Sequence, residues 1–432
     1  MENQPQNKHI LIFLPNRQED LRYEKIKKRD LIREAFFEEA LEIITGKLTD
    51  SHLYVELDQP PTELSEEKIR QLKRRIDGKF NRVFNSAEGK NHWHDRHLSI
   101  AGENFTEELL EKFIAGESAA NGRRRCLVTG GAGFIGSNLV DALIERGDEV
   151  AVIDNLSSGK REYLNPRAKF YEVDICNREL IADIFAEEKF DYVFHLAAQI
   201  DVRVSVADPA LDNKINVLGG LNILENCNKT KVKKIIFIST GGALYGEAEE
   251  VPTKESHPTR PLSPYGIHKL TFEKYLHYYS AVFGQKYIAL RLANVYGPRQ
   301  YKGGEAGVVS IFVDYAVNGK KLLINGDGLQ TRDFVYVGDV VDAITTATEN
   351  DYVGEINIAT GKETSLLEII ESIEFFLGRK IAKEHLPAKA GEQRRSALDY
   401  ARAKEIIGWL PAIGLSEGIK KTIEWASGRT ER

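Results

Sequence analysis

The chain has 432 residues, of which 42% are hydrophobic and 29% charged, and its formal net charge is -6. One core rarely fills that length, so two or more domains are expected, and a mildly acidic chain has no general attraction for nucleic acid or anionic lipid. Three scattered cysteines, Cys126, Cys176 and Cys227, cannot build a disulfide framework or a thiolate zinc site and read as reduced core residues of a cytoplasmic protein.

The first residues, MENQPQNKHILIFLPNRQED, hold an apolar run too short for a signal-peptide core or a membrane span. HILIFLP and HLYVELD read as short strands, and Ile32, Phe36, Ala40 and Ile43 give Asp30 to Ile44 the spacing of an amphipathic helix. A second helix is expected over Glu66 to Ile76, where the basic run from Lys68 to Arg75 follows Glu63, Glu66 and Glu67 and reads as a solvated face. His92, His94 and His97 have metal-ligand chemistry, but no partner cluster is visible elsewhere, so ordinary loop histidines are expected and no metal. These features describe an α/β or α+β accessory domain over 1–115, of unrecognised family and unknown role and partner. The small, polar and basic stretch at 116–125 reads as a linker.

From residue 126 apolar runs alternate with helical segments: RCLVTG, EVAVID, DYVFHLA and KKIIFIS, separated by stretches such as SNLVDALIERG and NVLGGLNILENC. Repeated β then α predicts a Rossmann-like, doubly wound parallel sheet covered on both faces. The alternation becomes irregular near residue 290, which predicts a nucleotide-binding core over about 126–295 and a smaller substrate lobe mainly over 296–432.

Thr129-Gly130-Gly131-Ala132-Gly133-Phe134-Ile135-Gly136 follows a strand and opens a helix. Glycines there permit a tight turn, close approach to a pyrophosphate and tight helix packing, and the helix start supplies unpaired N–H groups. The spacing is G-x-x-G-x-x-G. Asp154 ends the next strand, where a carboxylate accepts from a ribose diol and would repel a ribose phosphate, favouring NAD over NADP. Asp174, placed at the end of the strand FYEVD, is a weaker candidate for an adenine contact.

In SPYGIHK, Tyr265 and Lys269 lie one helical turn apart on one face. A neighbouring ammonium and a nicotinamide cation both favour phenolate, so this pair can supply a base near neutral pH. The strand KKIIFIS ends in Ser239 and Thr240, at the carboxyl edge where parallel sheets bind ligands, and Thr240 is the preferred partner hydroxyl.

Together TGGAGFIG, DNLSSGKREYL, HLAAQIDVRVSV, STGGALYGE, SPYGIHK, RLANVYGPRQ, EAGVVSIF and GDGLQTRDFVYVGDVVDA resemble the extended short-chain dehydrogenase/reductases, most closely the UDP-glucose 4-epimerase group, from about Arg124 to Trp425. The resemblance implies that Gly130, Gly133 and Gly136 hold the NAD pyrophosphate, with Phe134 and Ile135 also in the cofactor site, and that Asp154 and Asn155 hold the adenosine ribose. Asp174, Ile175, Leu196, Ala197 and Ala198 would complete the cofactor site. It implies Tyr265 as the acid/base, Lys269 as the ligand of the nicotinamide ribose, and Thr240 or Ser239 as the catalytic hydroxyl. Asn294 and Arg332 would contact the nucleotide sugar, with Lys389, Glu392 and Ser396 beside them.

Two departures stand out. Gly241 and Gly242 follow Thr240 where many members carry a further hydroxyl, and where dehydratases and decarboxylases place an acid, which favours plain epimerisation and leaves room for a turning sugar. Lys389 stands where an arginine is common, so the diphosphate would lean on Arg332 and on Arg394 or Arg395. Ser396 stands where some epimerases carry a tyrosine, and it would admit an N-acetyl sugar. The implied reaction is oxidation and re-reduction of a UDP-sugar at C4 in a homodimer that pairs through helices near Asn216–Asn226 and Tyr265–Tyr279. The competing readings are a uronate epimerase, dehydratase or reductase, and a non-catalytic NAD and nucleotide-sugar scaffold.

Overall fold

The apolar runs after residue 125 become the strands β5 (Arg125–Thr129), β6 (Glu149–Ile153), β7 (Lys169–Tyr171), β8 (Tyr192–His195), β9 (Lys234–Thr240) and β10 (Tyr287–Leu292), joined from further along the chain by β15 (Gly354–Ile358). They form one seven-stranded sheet in the order β15-β10-β9-β8-β5-β6-β7. Every neighbouring pair is parallel. From β5 the chain runs outward to β7, then crosses to β8 and runs the other way, so the order reverses between β5 and β8. Ligands of such sheets bind at that reversal, beyond the carboxyl ends of the strands.

The computed structural model describes residues 123–300, 307–388 and 393–430, with the backbone of 9–15, 43–48, 53–57 and 93–101. Two compact units divide the chain, Met1–Asn121 and Gly122–Arg432.

In the second unit alternate strand residues enter two cores. Cys126, Val128, Val150, Val152, Phe194, Ile236 and Ile238 face α1 (Phe134–Glu145), packing on Leu139, Val140 and Leu143. Leu127, Ala151, Ile153, Val193, Ile235 and Phe237 face the opposite layer. There they meet Ile181, Ile184 and Phe185 of α2 (Arg178–Glu188), Ile223 and Leu224 of α5 (Gly220–Thr230), and Phe272 and Leu276 of α7 (Pro264–Phe283). Near-continuous apolar strands are what burial on both faces requires.

Two short helices, α3 (Val202–Ala207) and α4 (Pro209–Asn213), lead through a π-helical segment, Lys214–Gly219, into α5. A third, α6 (Gly241–Leu244), follows β9. The irregular region past residue 290 forms three two-stranded pairings. These are β11 (Asn294–Tyr296) with β14 (Phe334–Tyr336), β12 (Leu322–Asn325) with β17 (Lys383–Leu386), and β13 (Thr331–Arg332) with β16 (Thr364–Ser365). They surround a third core of Tyr296, Phe312, Val313, Ile369, Ile370, Ile373, Ile419 and Ile423.

In the first unit β1 (His9–Pro15), β2 (Ile43–Leu48), β3 (Leu53–Leu57) and β4 (Trp93–Ala101) form an antiparallel sheet ordered β2-β3-β1-β4. Two of these strands match the sequence expectation. The expected helix over 30–44 must stop before Ile43, which opens β2. Its remainder, the helix over 66–76 and its basic run lie outside the described residues. So does His92, whereas His94 and His97 belong to β4 and not to a loop. Two cysteines are buried as expected, but Cys176 is half-exposed and not a core residue. Among the described residues no helix is long and apolar enough to cross a membrane.

Candidate active site

The glycine run closes over the sheet reversal. Gly130 adopts a left-handed φ of 74°, and a Cβ there would sit 2.8 Å from Ala197 N. A Cβ on Gly136 would sit 2.1 Å from Gly130 O, so only glycine lets α1 start this close to the turn. Gly133 is the N-cap of α1 and makes no side-chain cap bond, while Phe134 and Ile135 lie half-buried in its first turn. The first N–H groups of a helix have no partner within it and suit a diphosphate. A cradle that any Cβ would fill fits a dinucleotide pyrophosphate.

Asp154 is buried beneath this turn, its Oδ2 accepting from Ala132 N at 3.0 Å and its Oδ1 from Leu156 N at 2.8 Å. Burial raises its carboxyl above the usual range while the two N–H groups pull it back. Asn155 donates to Asp174 Oδ2 at 3.0 Å, so these two candidates form one rim, with Ile175 buried behind them. The strand expected to end at Asp174 stops at Tyr171; Asp174 instead sits in a loop and accepts from Cys176 N.

Opposite, the loop after β8 carries Leu196, Ala197 and Ala198, all half-buried. Its anchor, Thr129, was not anticipated. The Thr129 hydroxyl oxygen accepts from Leu196 N and Ala197 N, each at 3.2 Å, and lies 2.8 Å from His195 Nδ1. With both lone pairs accepting, the hydroxyl donates to Nδ1, which fixes the His195 proton on Nε2. Burial, and then the nearby Lys269 ammonium, push the His195 pKa down to about 3, so it stays neutral.

Helix α7, which carries the Tyr265–Lys269 pair, is N-capped by Ser263, whose side chain accepts from Gly266 N, with Pro264 in its first turn. Lys269 is buried; its Nζ donates to Ile238 O at 2.9 Å, lies 4.6 Å from the Phe237 ring centre and 5.9 Å from that of half-exposed Tyr265. The expected tyrosine and lysine therefore lie side by side near the carboxyl end of β9. Desolvation lowers the Lys269 pKa to about 8, opposed by the charges of Asp212 and Glu273.

The two hydroxyl candidates part company here. Ser239 is buried and donates to Glu273 Oε1 at 2.6 Å, inside a closed network in which Arg291 also grips Glu273, at 3.0 and 2.6 Å. Thr240 is half-exposed, and its side chain does not cap α6. Of the two, Thr240 is the one whose side chain lies outside that closed network and partly open to solvent. Of the two glycines expected to leave room after it, Gly241 is closed in, since a Cβ there would lie 2.2 Å from Leu398 Cδ1, whereas nothing lies within 4 Å of the Cβ direction of Gly242.

In the lobe, Asn294 is exposed at the start of β11 and bonds Asp333 O through its backbone. Arg332 is half-buried, with Nη1 on Thr331 O at 2.8 Å. Asp333 beside it is buried and accepts from Thr360 N and Oγ1, Gly361 N and Leu398 N, which welds the lobe loops together. Ser396 is half-exposed. Lys389 and Glu392 lie outside the described residues. Arg394 forms a two-pronged pair with Asp327 and Arg395 one with Glu363, so both guanidinium groups already hold carboxylates.

The NAD dependent epimerase/dehydratase family matches residues 126–359. Among solved structures, a UDP-glucose 4-epimerase from Thermotoga maritima, crystallised with UDP-glucose, is 48% identical with a TM-score of 0.70, over 71% of this chain and 99% of that one. The UDP-glucose 4-epimerase of Thermus thermophilus, complexed with NAD, is 42% identical with a TM-score of 0.68, over 70% and 99%. A UDP-N-acetylglucosamine 4-epimerase from Methanobrevibacter ruminantium, complexed with UDP-N-acetylmuramic acid, is 37% identical with a TM-score of 0.68, over 71% and 99%. The glycine cradle, the carboxylate beneath it and the tyrosine–lysine pair thus stand on a shared fold, and the chain belongs to the NAD dependent epimerase/dehydratase family.

Proposed function

We propose that this protein interconverts UDP-sugars at C4, with NAD retained through the cycle, as a cytoplasmic homodimer. The observation that carries the reading is the buried Lys269 ammonium 5.9 Å from the Tyr265 ring, at the carboxyl edge of the sheet that also holds the glycine cradle. NAD, when bound, supplies the hydride acceptor and returns the hydride. Tyr265 takes the proton of the sugar 4-hydroxyl and gives it back after the 4-keto sugar has turned. Lys269 holds the nicotinamide ribose and favours the phenolate. Thr240 orients the reacting hydroxyl. Asn294 touches the nucleotide sugar and Arg332 holds its diphosphate, and the open space at Gly242 supports rotation of the sugar. Exposed Leu218, Ile267, Tyr278 and Val282, on the π segment and α7, supply apolar surface for a second copy.

Purified protein given UDP-galactose and no added NAD is expected to form UDP-glucose, because an epimerase regenerates its cofactor. Tyr265→Phe should keep its NAD and lose at least about a thousandfold in kcat. No product from the wild type, or an active Tyr265→Phe, would refute the reading. The small Ser396 side chain further supports acceptance of UDP-N-acetylglucosamine; Ser396→Tyr should lower kcat/KM for the N-acetyl sugar while sparing UDP-glucose, and an equal effect on both sugars would count against that role.

A further inference from the structure

The catalytic helix carries a second dyad that the mechanism above does not use. His268 lies between Tyr265 and Lys269 in the chain, and its Nδ1 is 2.5 Å from Oδ2 of Asp212 on α4. Asp212 has no solvent-exposed surface. Its other oxygen accepts from Gln199 Nε2 at 2.7 Å. Gln199 follows directly on Ala197 and Ala198, and its place is fixed on every side: its side chain bonds Asp201 O at 2.9 Å and Asp201 N at 2.6 Å. Its backbone N–H and C=O are both bonded by the Asn216 carboxamide, each at 2.9 Å. Asn216 sits in the π-helical segment, a distortion often found at functional sites. An unbroken chain of hydrogen bonds thus runs from the catalytic helix through Asp212 to the loop that walls the cofactor cradle.

A carboxylate in this position also contributes charge. The groups around Lys269 are Tyr265, His268 and Glu273 on its own helix, Asp212 on α4, neutral His195 on β8, the Phe237 ring and Ile238 O on β9, and Arg291 on β10. Glu273 is gripped through both oxygens by Arg291, so its field is largely cancelled by a guanidinium. Asp212 is held by a carboxamide and an imidazole instead.

We propose that Asp212 is a positioning residue, which clamps the catalytic helix to the Ala197–Ala198 loop through His268 and Gln199 and provides the counter-charge that keeps Lys269 an ammonium. Desolvation acts against that ammonium, and Asp212 is the first of the two carboxylates opposing it. The proposal rests on the reading of Lys269 as the ligand of the nicotinamide ribose.

The test is the NAD dissociation constant of the full chain from pH 6 to 10, read by calorimetry without sugar, alongside the pH profile of epimerisation. Wild-type affinity should weaken as pH rises through about 8, where Lys269 loses its proton. Asp212→Asn keeps an acceptor for Gln199 but removes the charge, so the weakening should begin about one pH unit lower, leaving NAD about fivefold weaker near pH 8 and about tenfold weaker at higher pH. The alkaline limb of kcat should move the same way. His268→Gln leaves the carboxylate and cuts the clamp, so NAD should weaken several-fold at every pH with the limb unmoved. An unmoved limb in Asp212→Asn overturns the counter-charge, and unchanged affinity in His268→Gln overturns the clamp, even should Asp212→Asn fail to fold. A wild type with no alkaline weakening takes down the reading of Lys269, and this proposal with it; a wild-type limb that Asp212→Asn leaves in place takes down only the role of Asp212.

Discussion

At the scale of single residues the site is set by what glycine permits. Gly136 is the sharpest case, because the direction its Cβ would take ends 2.1 Å from a backbone oxygen of the same turn, which cannot swing aside as a side chain could. Gly136→Ala should therefore displace the start of α1 from the cradle, with NAD lost on gel filtration and thermal stability reduced. Gly242→Ala is the matched control, since nothing lies within 4 Å of its Cβ direction, and it should keep both NAD and fold. Equal behaviour of the two variants would contradict this account of the cradle. The glycine spacing, Asp154 and the Tyr265–Lys269 pair were legible in the sequence because each belongs to a local turn or one helical turn. Thr129 was not: a threonine ending an apolar strand carries no sign that it accepts two N–H groups from a loop 67 and 68 positions away. Between Ser239 and Thr240 the sequence favours Thr240 without excluding Ser239, and strand alternation, one facing Glu273 and the other half-exposed, separates them.

Among elements, the bond that matters most to the site is between α7 and the sheet. Glu273, one turn after Lys269, meets Arg291 from β10 and Ser239 from β9, and Arg291 Nη1 reaches on to Tyr245 Oη at 3.0 Å, which donates to Asn357 of β15 at 2.8 Å. Both charges of the pair are almost fully buried. Removing one partner of a buried pair strands the other charge, at about 3–5 kcal/mol. Glu273→Gln should cost folding stability on that order in chemical denaturation, and a loss under about 1 kcal/mol would show the pair to be peripheral. Such a pair is invisible to sequence reading, because Glu273 on an amphipathic helix looks like a surface acid and its partner lies 18 positions on. The same limit explains β15, which joins the edge of the sheet from inside the stretch whose alternation had become irregular. Strands with helical partners announce themselves by period; a strand that returns from a second lobe does so only through its pairing with β10.

For the whole molecule, the question is what the first unit adds. The division falls between Asn121 and Gly122, within the polar and basic stretch where composition predicted a linker. The Thermotoga maritima structure is matched over 99% of its length by 71% of this chain, so a complete epimerase of this family needs little beyond the share that the second unit represents. The residues proposed for cofactor, proton transfer and sugar all belong to that unit, as do the three larger cores. A chain beginning at Gly122 should therefore fold, keep NAD and epimerise UDP-galactose with kcat and KM within about twofold of the full protein, since no catalytic group is lost. Circular dichroism, bound-nucleotide content and the coupled assay would measure it. Loss of activity in a folded, NAD-loaded truncation would mean that the first unit acts on the site itself, and the accessory role proposed for residues 1–115 would have to be abandoned. Unchanged catalysis would instead assign that unit's β2-β3-β1-β4 sheet to a task separate from the chemistry.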